Sequence, residues 1–436
     1  MTDTNTVRRA AVKAKEAALV LQGLSTGSKN QALTDIRSAL EKNKAGIFAA
    51  NARDLERAKK ENLASPLAKR LVFDERKLGM TLDGLSSLIG LEDPVGKTLS
   101  ALELEKGFEL YKVTCPIGVI GIIFESRPDA LVQIGSLCLK SGNAVLMKGG
   151  REAKETNEIL ARLIHDTAVA AGLPAGWLQL LESREDVSAL LKLEGLVDLI
   201  IPRGSNEFVR HIMNNTSIPV MGHADGICHM YVAEDADHEM AVRLTVDGKT
   251  QYVAVCNALE TLLVHASIAP SFLPAVKNAL EEKHVAIRGC ENTRKIIDCQ
   301  AAAEKDWGTE YLDYILSIKV VDGLEAAVDH INTYGSKHTD SIVTADKKKA
   351  DYFLTFVDSA NVFWNASTRF SDGFNFGLGA EVGISTNKLH ARGPVGMEGL
   401  LIYKWKLLGN GQAMADFAGP DARKFTHKKL DKKYPL

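Results

Sequence analysis

Between Gly118 and Phe124 the chain carries an unbroken, largely β-branched apolar run, the mark of a strand buried on both faces. A helix is expected from Asp129 to Lys140, then a second such strand from Ala144 to Met147. The next helix, Glu155 to Ala171, sets Leu160, Leu163, Ile164 and Ala168 on one face and stops at Gly172 with Pro174 beyond. Further strands are expected at Trp177–Leu181, Val197–Ile201 and Ile218–Met221, with helices Asp186–Leu193 and Asn206–Asn214 between them. Strands of this kind, alternating with helices, imply a parallel sheet with right-handed crossovers, covered on both faces. Such sheets take ligands at the carboxyl ends of their strands.

The same rhythm resumes from His229. Helices are expected near Asp237–Thr245, Ser271–Lys283 and Gly323–Asn332, and strands at Glu260–His265, Val285–Arg288 and Ile315–Val321. Before the first sheet, Val7–Leu24, Ala32–Asn51 and Leu55–Val72 read as amphipathic helices, and Leu102–Thr114 as a short strand pair. The tail from Gly373 is rich in glycine and irregular. At 436 residues the chain exceeds what one core usually supports, so two or three domains are expected.

Composition excludes several functions. A net charge of -2 gives no global field favouring nucleic acid or an anionic membrane. The basic stretch Arg423–Lys433 reads as a solvated tail. The apolar runs are far shorter than the ~20 residues of a membrane span, and the N-terminal segment lacks the apolar core of a signal peptide. The six cysteines show no zinc-knuckle spacing, so reduced thiols in a cytoplasm are expected.

Three sites carry chemistry. The second strand ends in Lys148-Gly149-Gly150-Arg151, where a classical NAD site would place an acid; two cations there suit the extra phosphate of NADP, or form a solvated basic turn. Pro202-Arg203-Gly204-Ser205 opens a helix whose backbone N–H groups suit a pyrophosphate, with Ser205 placed as an N-cap. Cys256 lies in a loop just before a strand, placed to attack a carbonyl carbon, with the Asn257 N–H as an oxyanion donor; the alternative is a small core residue among Val253, Val255 and Leu259. His223 and His229 match no standard ligand spacing, so no metal is expected. The His338-Thr339-Asp340 stretch either lines a polar cleft or is a hydrogen-bonded loop.

Ordered blocks over nearly the full chain resemble the gamma-glutamyl phosphate reductases of the aldehyde dehydrogenase superfamily: Pro116–Gly121, Phe124–Pro128, Leu146–Ala153, Pro202–Ser205, His223–His229, Cys256–His265, Gly335–Ile342, Thr368–Gly373 and His390–Pro394. The resemblance implies an α/β, aldehyde dehydrogenase-like fold. Its parts are a Rossmann-type NADP-binding domain over 1–229, an α/β catalytic domain over 230–357, and a return to the cofactor domain over 358–436. A small β oligomerisation segment draws on 100–114 and the region after Gly396. It implies NADPH-dependent reduction of L-glutamyl 5-phosphate to L-glutamate 5-semialdehyde, the second step of proline biosynthesis, through a Cys256 thioester. Lys148, Arg151, Gly204, Ser205 and Glu310 are then the cofactor residues. Arg127, Lys249, Asp340 and Arg392 are candidates for the charged groups of the substrate. A homodimer or homotetramer is implied, with glutamate 5-kinase as a partner. Where hydrolytic relatives carry Glu-Leu-Gly-Gly, this chain has Val220-Met221-Gly222-His223, without the glutamate that activates water. The chain departs from the reductase pattern at Asp247-Gly248, where Asn-Ala is usual, and at Val253, where proline is common. A hydrolytic semialdehyde dehydrogenase and a catalytically silent binding subunit are the alternatives.

Overall fold

The computed structural model describes residues 4–63, 65–223, 225–379 and 381–435. Four parallel strands form the first sheet, in the spatial order Leu178–Leu181, Ala144–Lys148, Val119–Phe124, Leu199–Arg203. Every residue of the two inner strands Val119–Phe124 and Ala144–Lys148 is buried, as their unbroken apolar runs require. Two strands are added on one side of Val119–Phe124 and the last on the other. The strand order therefore reverses beside Val119–Phe124, which opens a crevice at its carboxyl end. The expected strand Ile218–Met221 is reduced to a single bridge between Val220 and Ile200, because Pro219 has no N–H to extend a ladder.

Five helices precede the first strands: Thr4–Leu21, which packs on this sheet, then Thr26–Lys42, Lys44–Lys60, Ser65–Leu71 and Glu75–Gly90, which pack on neighbouring helices. The helix expected over 32–51 breaks at Asn43, whose N–H closes the first helix on Ala39 while its carbonyl opens the next. Glu75–Gly90 completes the helical run that ends before Glu92-Asp93-Pro94: Asp74 caps it through Lys77 N at 2.9 Å, and Leu78, Leu82, Leu85 and Leu88 make its buried stripe. That stripe joins one continuous core with both faces of the sheet.

The second sheet is also parallel, with seven strands in the order Gln300–Ala301, Ala286–Gly289, Ile315–Val321, Leu259–His265, Cys228–Val232, Thr339–Val343, Asn361–Trp364. It begins before residue 230 and takes its edge strand from beyond 357, so the expected boundaries cut through it. A third, antiparallel sheet joins Leu401–Leu408, Phe108–Pro116, Thr98–Glu105 and Lys428–Lys429. The expected 102–114 pair is thus longer, and the glycine-rich tail supplies a full-length neighbour. No helix among the described residues is long and apolar enough to cross a membrane.

Asp198 locks the first sheet to the N-terminal helix. Its carboxylate accepts Lys15 Nζ at 2.7 and 2.9 Å and Val119 N at 2.8 Å. Gly118, at φ +132°, lies so close that a Cβ there would overlap Asp198 Oδ2. We predict that Gly118→Ala costs more than the ~1–3 kcal/mol of backbone strain alone, read as a lowered midpoint in thermal melts.

Candidate active site

The carboxyl ends of the first sheet face the amino ends of the second across a cleft of about 1030 Å³. Arg127, Arg203, Ser205, Cys256, Glu310 and Arg369 are among its lining residues. Arg127 follows the first strand and N-caps the helix Pro128–Lys140, and Arg203 ends the strand beside it. Both therefore sit where the strand order reverses.

Cys256 lies on the loop between the helix His238–Thr250 and the strand Leu259–His265, half-buried in the cleft wall. Three contacts fix that loop. A Cβ on Gly226 would overlap the Cys256 backbone, so only glycine permits this approach. Asn257 Nδ2 donates to Ser371 O at 2.8 Å, and Thr368 Oγ1 donates to Asn257 O at 2.8 Å. The Asn257 side chain is thus an anchor, and its backbone N–H remains the candidate oxyanion donor. The Glu310 carboxylate accepts from Asn206 Nδ2 and the Gly226 N–H, and burial raises its pKa. It sits in the cleft wall with Cys256.

Arg203 and Arg369 line the same cleft as Cys256. Neither had an expected role, although both lie within the blocks Pro202–Ser205 and Thr368–Gly373. Glu381 was also missed; it accepts Gly373 N at 2.7 Å, and burial raises its pKa against the pull of Arg203. His223 Nδ1 donates to Ile384 O at 2.8 Å, because a carbonyl oxygen only accepts, and this fixes the proton on Nδ1. Burial holds its pKa below the ordinary histidine value.

Three expected substrate contacts lie elsewhere. Lys249 is fully buried behind the nucleophile loop, its Nζ 2.7 Å from Glu260 Oε2. Burial pushes Glu260 up to about 7 against the pull of Lys249. Asp340 is fully buried: Oδ1 accepts His229 N and lies 3.0 Å from His229 Nδ1, and Oδ2 accepts Ser359 Oγ. Arg392 pairs with Asp358 at 3.0 Å, away from the cleft lining. All three candidates are polar residues near family blocks; buried partners hold Lys249 and Asp340, and a part-exposed ion pair holds Arg392. Only Arg127 of the four lines the cleft.

Of the turns expected to hold a nicotinamide cofactor, Lys148–Arg151 fits one as it stands, and Gly204–Ser205 is filled by a carboxylate of the chain. Lys148 is buried at the end of its strand, and its Nζ donates to Gly149 O. Cβ atoms on Gly149 and Gly150 would overlap Asn157 and Glu152, so the turn is bare backbone beside a small hollow lined by Arg151 and Lys154. Arg151 is exposed and 2.9 Å from Glu61. Ser205 holds the N-cap position of the helix Asn206–Asn214, but its side chain makes no capping bond; its N–H donates instead to Glu125 Oε2 at 3.2 Å. A carboxylate thus already occupies the anion position at this helix end beside Gly204.

A sequence profile described as the aldehyde dehydrogenase family matches residues 1–293. Gamma-glutamyl phosphate reductase of Acetivibrio thermocellus is 61% identical over 426 residues, covering 98% of this chain and 99% of its own. That of Haloquadratum walsbyi is 51% identical over 446 residues, covering 100% of this chain and 97% of its own. The chain belongs to the gamma-glutamyl phosphate reductases of the aldehyde dehydrogenase family. The crystal structure of the reductase from Thermotoga maritima superposes with a TM-score of 0.92 at 39% identity, covering 93% of this chain and 99% of that one. An acetylating aldehyde dehydrogenase from Geobacillus thermoglucosidasius, 16% identical with a TM-score of 0.63, covers 95% of this chain and 99% of its own and shares the fold.

The buried pair behind the nucleophile yields a stability prediction. Lys249→Met strands Glu260 without its cation and costs ~3–5 kcal/mol in urea unfolding, while Lys249→Met with Glu260→Leu recovers most of that loss.

Proposed function

We propose that the chain reduces L-glutamyl 5-phosphate to L-glutamate 5-semialdehyde with NADPH, through a thioester on Cys256. Membership of the gamma-glutamyl phosphate reductases makes the chain an oxidoreductase of proline biosynthesis that uses a nicotinamide cofactor. The observation that carries the thioester reading is Cys256 in the wall of the cleft, which Arg127, Arg203 and Arg369 also line.

The Cys256 thiolate attacks the acyl carbon of the substrate, and the Asn257 N–H holds the oxygen that becomes negative. Phosphate leaves with the bonding electrons, and Arg127, Arg203 and Arg369 stabilise its charge and hold the substrate carboxylate. NADPH, when bound, supplies the hydride that takes the thioester to the aldehyde level. The resulting hemithioacetal on Cys256 then collapses, releasing the semialdehyde and restoring the thiolate. The thioester survives until then because Val220–His223 brings no glutamate to activate water, while Glu310 and Glu381 are engaged with backbone N–H groups. Lys148 and Arg151 hold the adenosine end of the cofactor and its 2′-phosphate. Gly204 and Ser205 hold its pyrophosphate once Glu125 yields, and Glu310 accepts from the nicotinamide ribose.

The edge strand Leu401–Leu408 exposes Ile402, Tyr403, Trp405 and Leu407, which supports a homo-oligomer built on this strand. Glutamate 5-kinase is the partner that would supply the labile acyl phosphate, and the cytoplasm the compartment.

Cys256→Ser is expected to lower kcat at least ~10³-fold. In the oxidative direction, turnover of semialdehyde and NADP should require added phosphate; phosphate-independent turnover would instead establish a hydrolytic dehydrogenase. Arg203→Met and Arg369→Met should each lower kcat/KM for the acyl phosphate by ~10- to 100-fold, the worth of one charged hydrogen bond, measured by NADPH absorbance.

A further inference from the structure

Two histidines face the Cys256 sulfur, and the proposed mechanism uses neither. His223 comes from the segment that crosses between the sheets, and His338 immediately precedes the strand Thr339–Val343. One ligand atom from each of His223, Cys256 and His338 lies within 4.8 Å of the other two. The imidazole rings meet edge to face with centroids 4.7 Å apart. His229, which the sequence pairs with His223, is not part of the group, being buried against Asp340.

The outer nitrogens of both rings are already engaged. His223 Nδ1 is 2.8 Å from Ile384 O, and His338 Nδ1 is 2.9 Å from Thr339 Oγ1. That leaves Nε2 as the inward atom of each ring. His338 is fully buried, and its Nε2 has no hydrogen-bond partner among the described residues. A buried, unpartnered nitrogen costs about 1–3 kcal/mol, so this one favours any ligand that meets it. An imidazole held from behind by a carbonyl or hydroxyl, with its other nitrogen turned inward, is the arrangement that orients a metal-binding histidine.

We propose that His223, Cys256 and His338 form a site for a borderline-soft divalent cation of the Zn²⁺ type. Tetrahedral Zn²⁺, with bonds of about 2.0–2.1 Å to nitrogen and 2.3 Å to sulfur, spaces its ligand atoms roughly 3.3–3.7 Å apart. With its atoms within 4.8 Å of one another, the group closes by at most about 1.5 Å, within the reach of rotamer adjustments of its three side chains. The fourth position opens into the cleft, where water completes the shell. Binding forms the Zn–S bond and releases the Cys256 thiol proton to solvent. The sulfur cannot bind the cation and attack an acyl phosphate together, so the cation is a reversible cap that silences the enzyme and shields the thiol. That consequence for turnover rests on Cys256 as nucleophile; cation binding itself does not.

Co²⁺ is the probe, added to the purified, reduced full chain. One Co²⁺ per chain should bind with a thiolate-to-cobalt charge-transfer band and tetrahedral visible absorption, both displaced by Zn²⁺. The charge-transfer band should vanish in Cys256→Ser. Affinity should fall more than ~100-fold in His223→Gln and in His338→Gln, exceeding the loss typical of an outer partner. Circular dichroism and NADPH fluorescence titration establish that each variant is folded, and the partly exposed His223 keeps the test available if His338→Gln does not fold. Zn²⁺ should also slow alkylation of Cys256 in proportion to occupancy, with reversal by a chelator. Absence of a thiolate band in the wild-type chain, or its persistence in Cys256→Ser, overturns the site. Activity retained by Cys256→Ser would overturn the nucleophile reading and leave the cation result standing.

Discussion

The backbone of Gly226 lies directly on that of Cys256, and the active site depends on this contact. Gly226 belongs to the short segment that leaves the first sheet and enters the second at Cys228. Its N–H is donated to Glu310, a cleft residue from a distant loop. One glycine without a side chain thus brings together the crossing between domains, the nucleophile loop and the carboxylate of the cofactor side. Any Cβ there would push the loop away from the carboxyl ends of the first sheet, where the cofactor turns lie.

Beneath this contact the scaffold is polar rather than purely apolar. Lys249 with Glu260, and His229 with Asp340, are fully buried and lie behind the cleft rather than in it. Buried pairs of this kind contribute little net stability compared with apolar replacements, but losing one partner is costly. They tie neighbouring elements in fixed register: the last turns of His238–Thr250 to Leu259–His265, and Cys228–Val232 to Thr339–Val343. Both pairs flank loops that carry Cys256 or His338, so the same bonds that hold the sheet fix the spacing of the reactive groups.

Charge works locally here. The whole chain is nearly neutral at -2, yet Arg70, Arg127, Arg203 and Arg369, from four separate stretches, line one cleft. Charges gathered at such short range are screened least by salt. The cofactor turns repeat the pattern with Lys148, Arg151 and Lys154 around exposed backbone. Glu125 at the Ser205 N–H shows the same helix end accepting an anion supplied by the chain itself.

Local sequence was enough for the first sheet, because a strand buried on both faces must be apolar throughout and a helix must end where glycine and proline stop it. It was enough for Asn206–Asn214 and Ile315–Val321, where expected and observed bounds coincide. The family resemblance also singled out Cys256, Glu310, Gly204 and Ser205, which lie together in one cleft lining. Local pattern did not reveal which polar residues are spent inside the protein. Lys249, Asp340 and Arg392 carry the same charges whether they meet substrate or a partner within the protein, and only the tertiary structure supplies the partner. Nor did it join His223 to His338 or bring Arg369 to Cys256, since more than a hundred residues separate each pair along the chain. The sequence by itself determined the chemistry available at Cys256. The tertiary structure decided which groups surround it, because proximity across two facing sheets depends on strand order and loop closure, which no local stretch encodes.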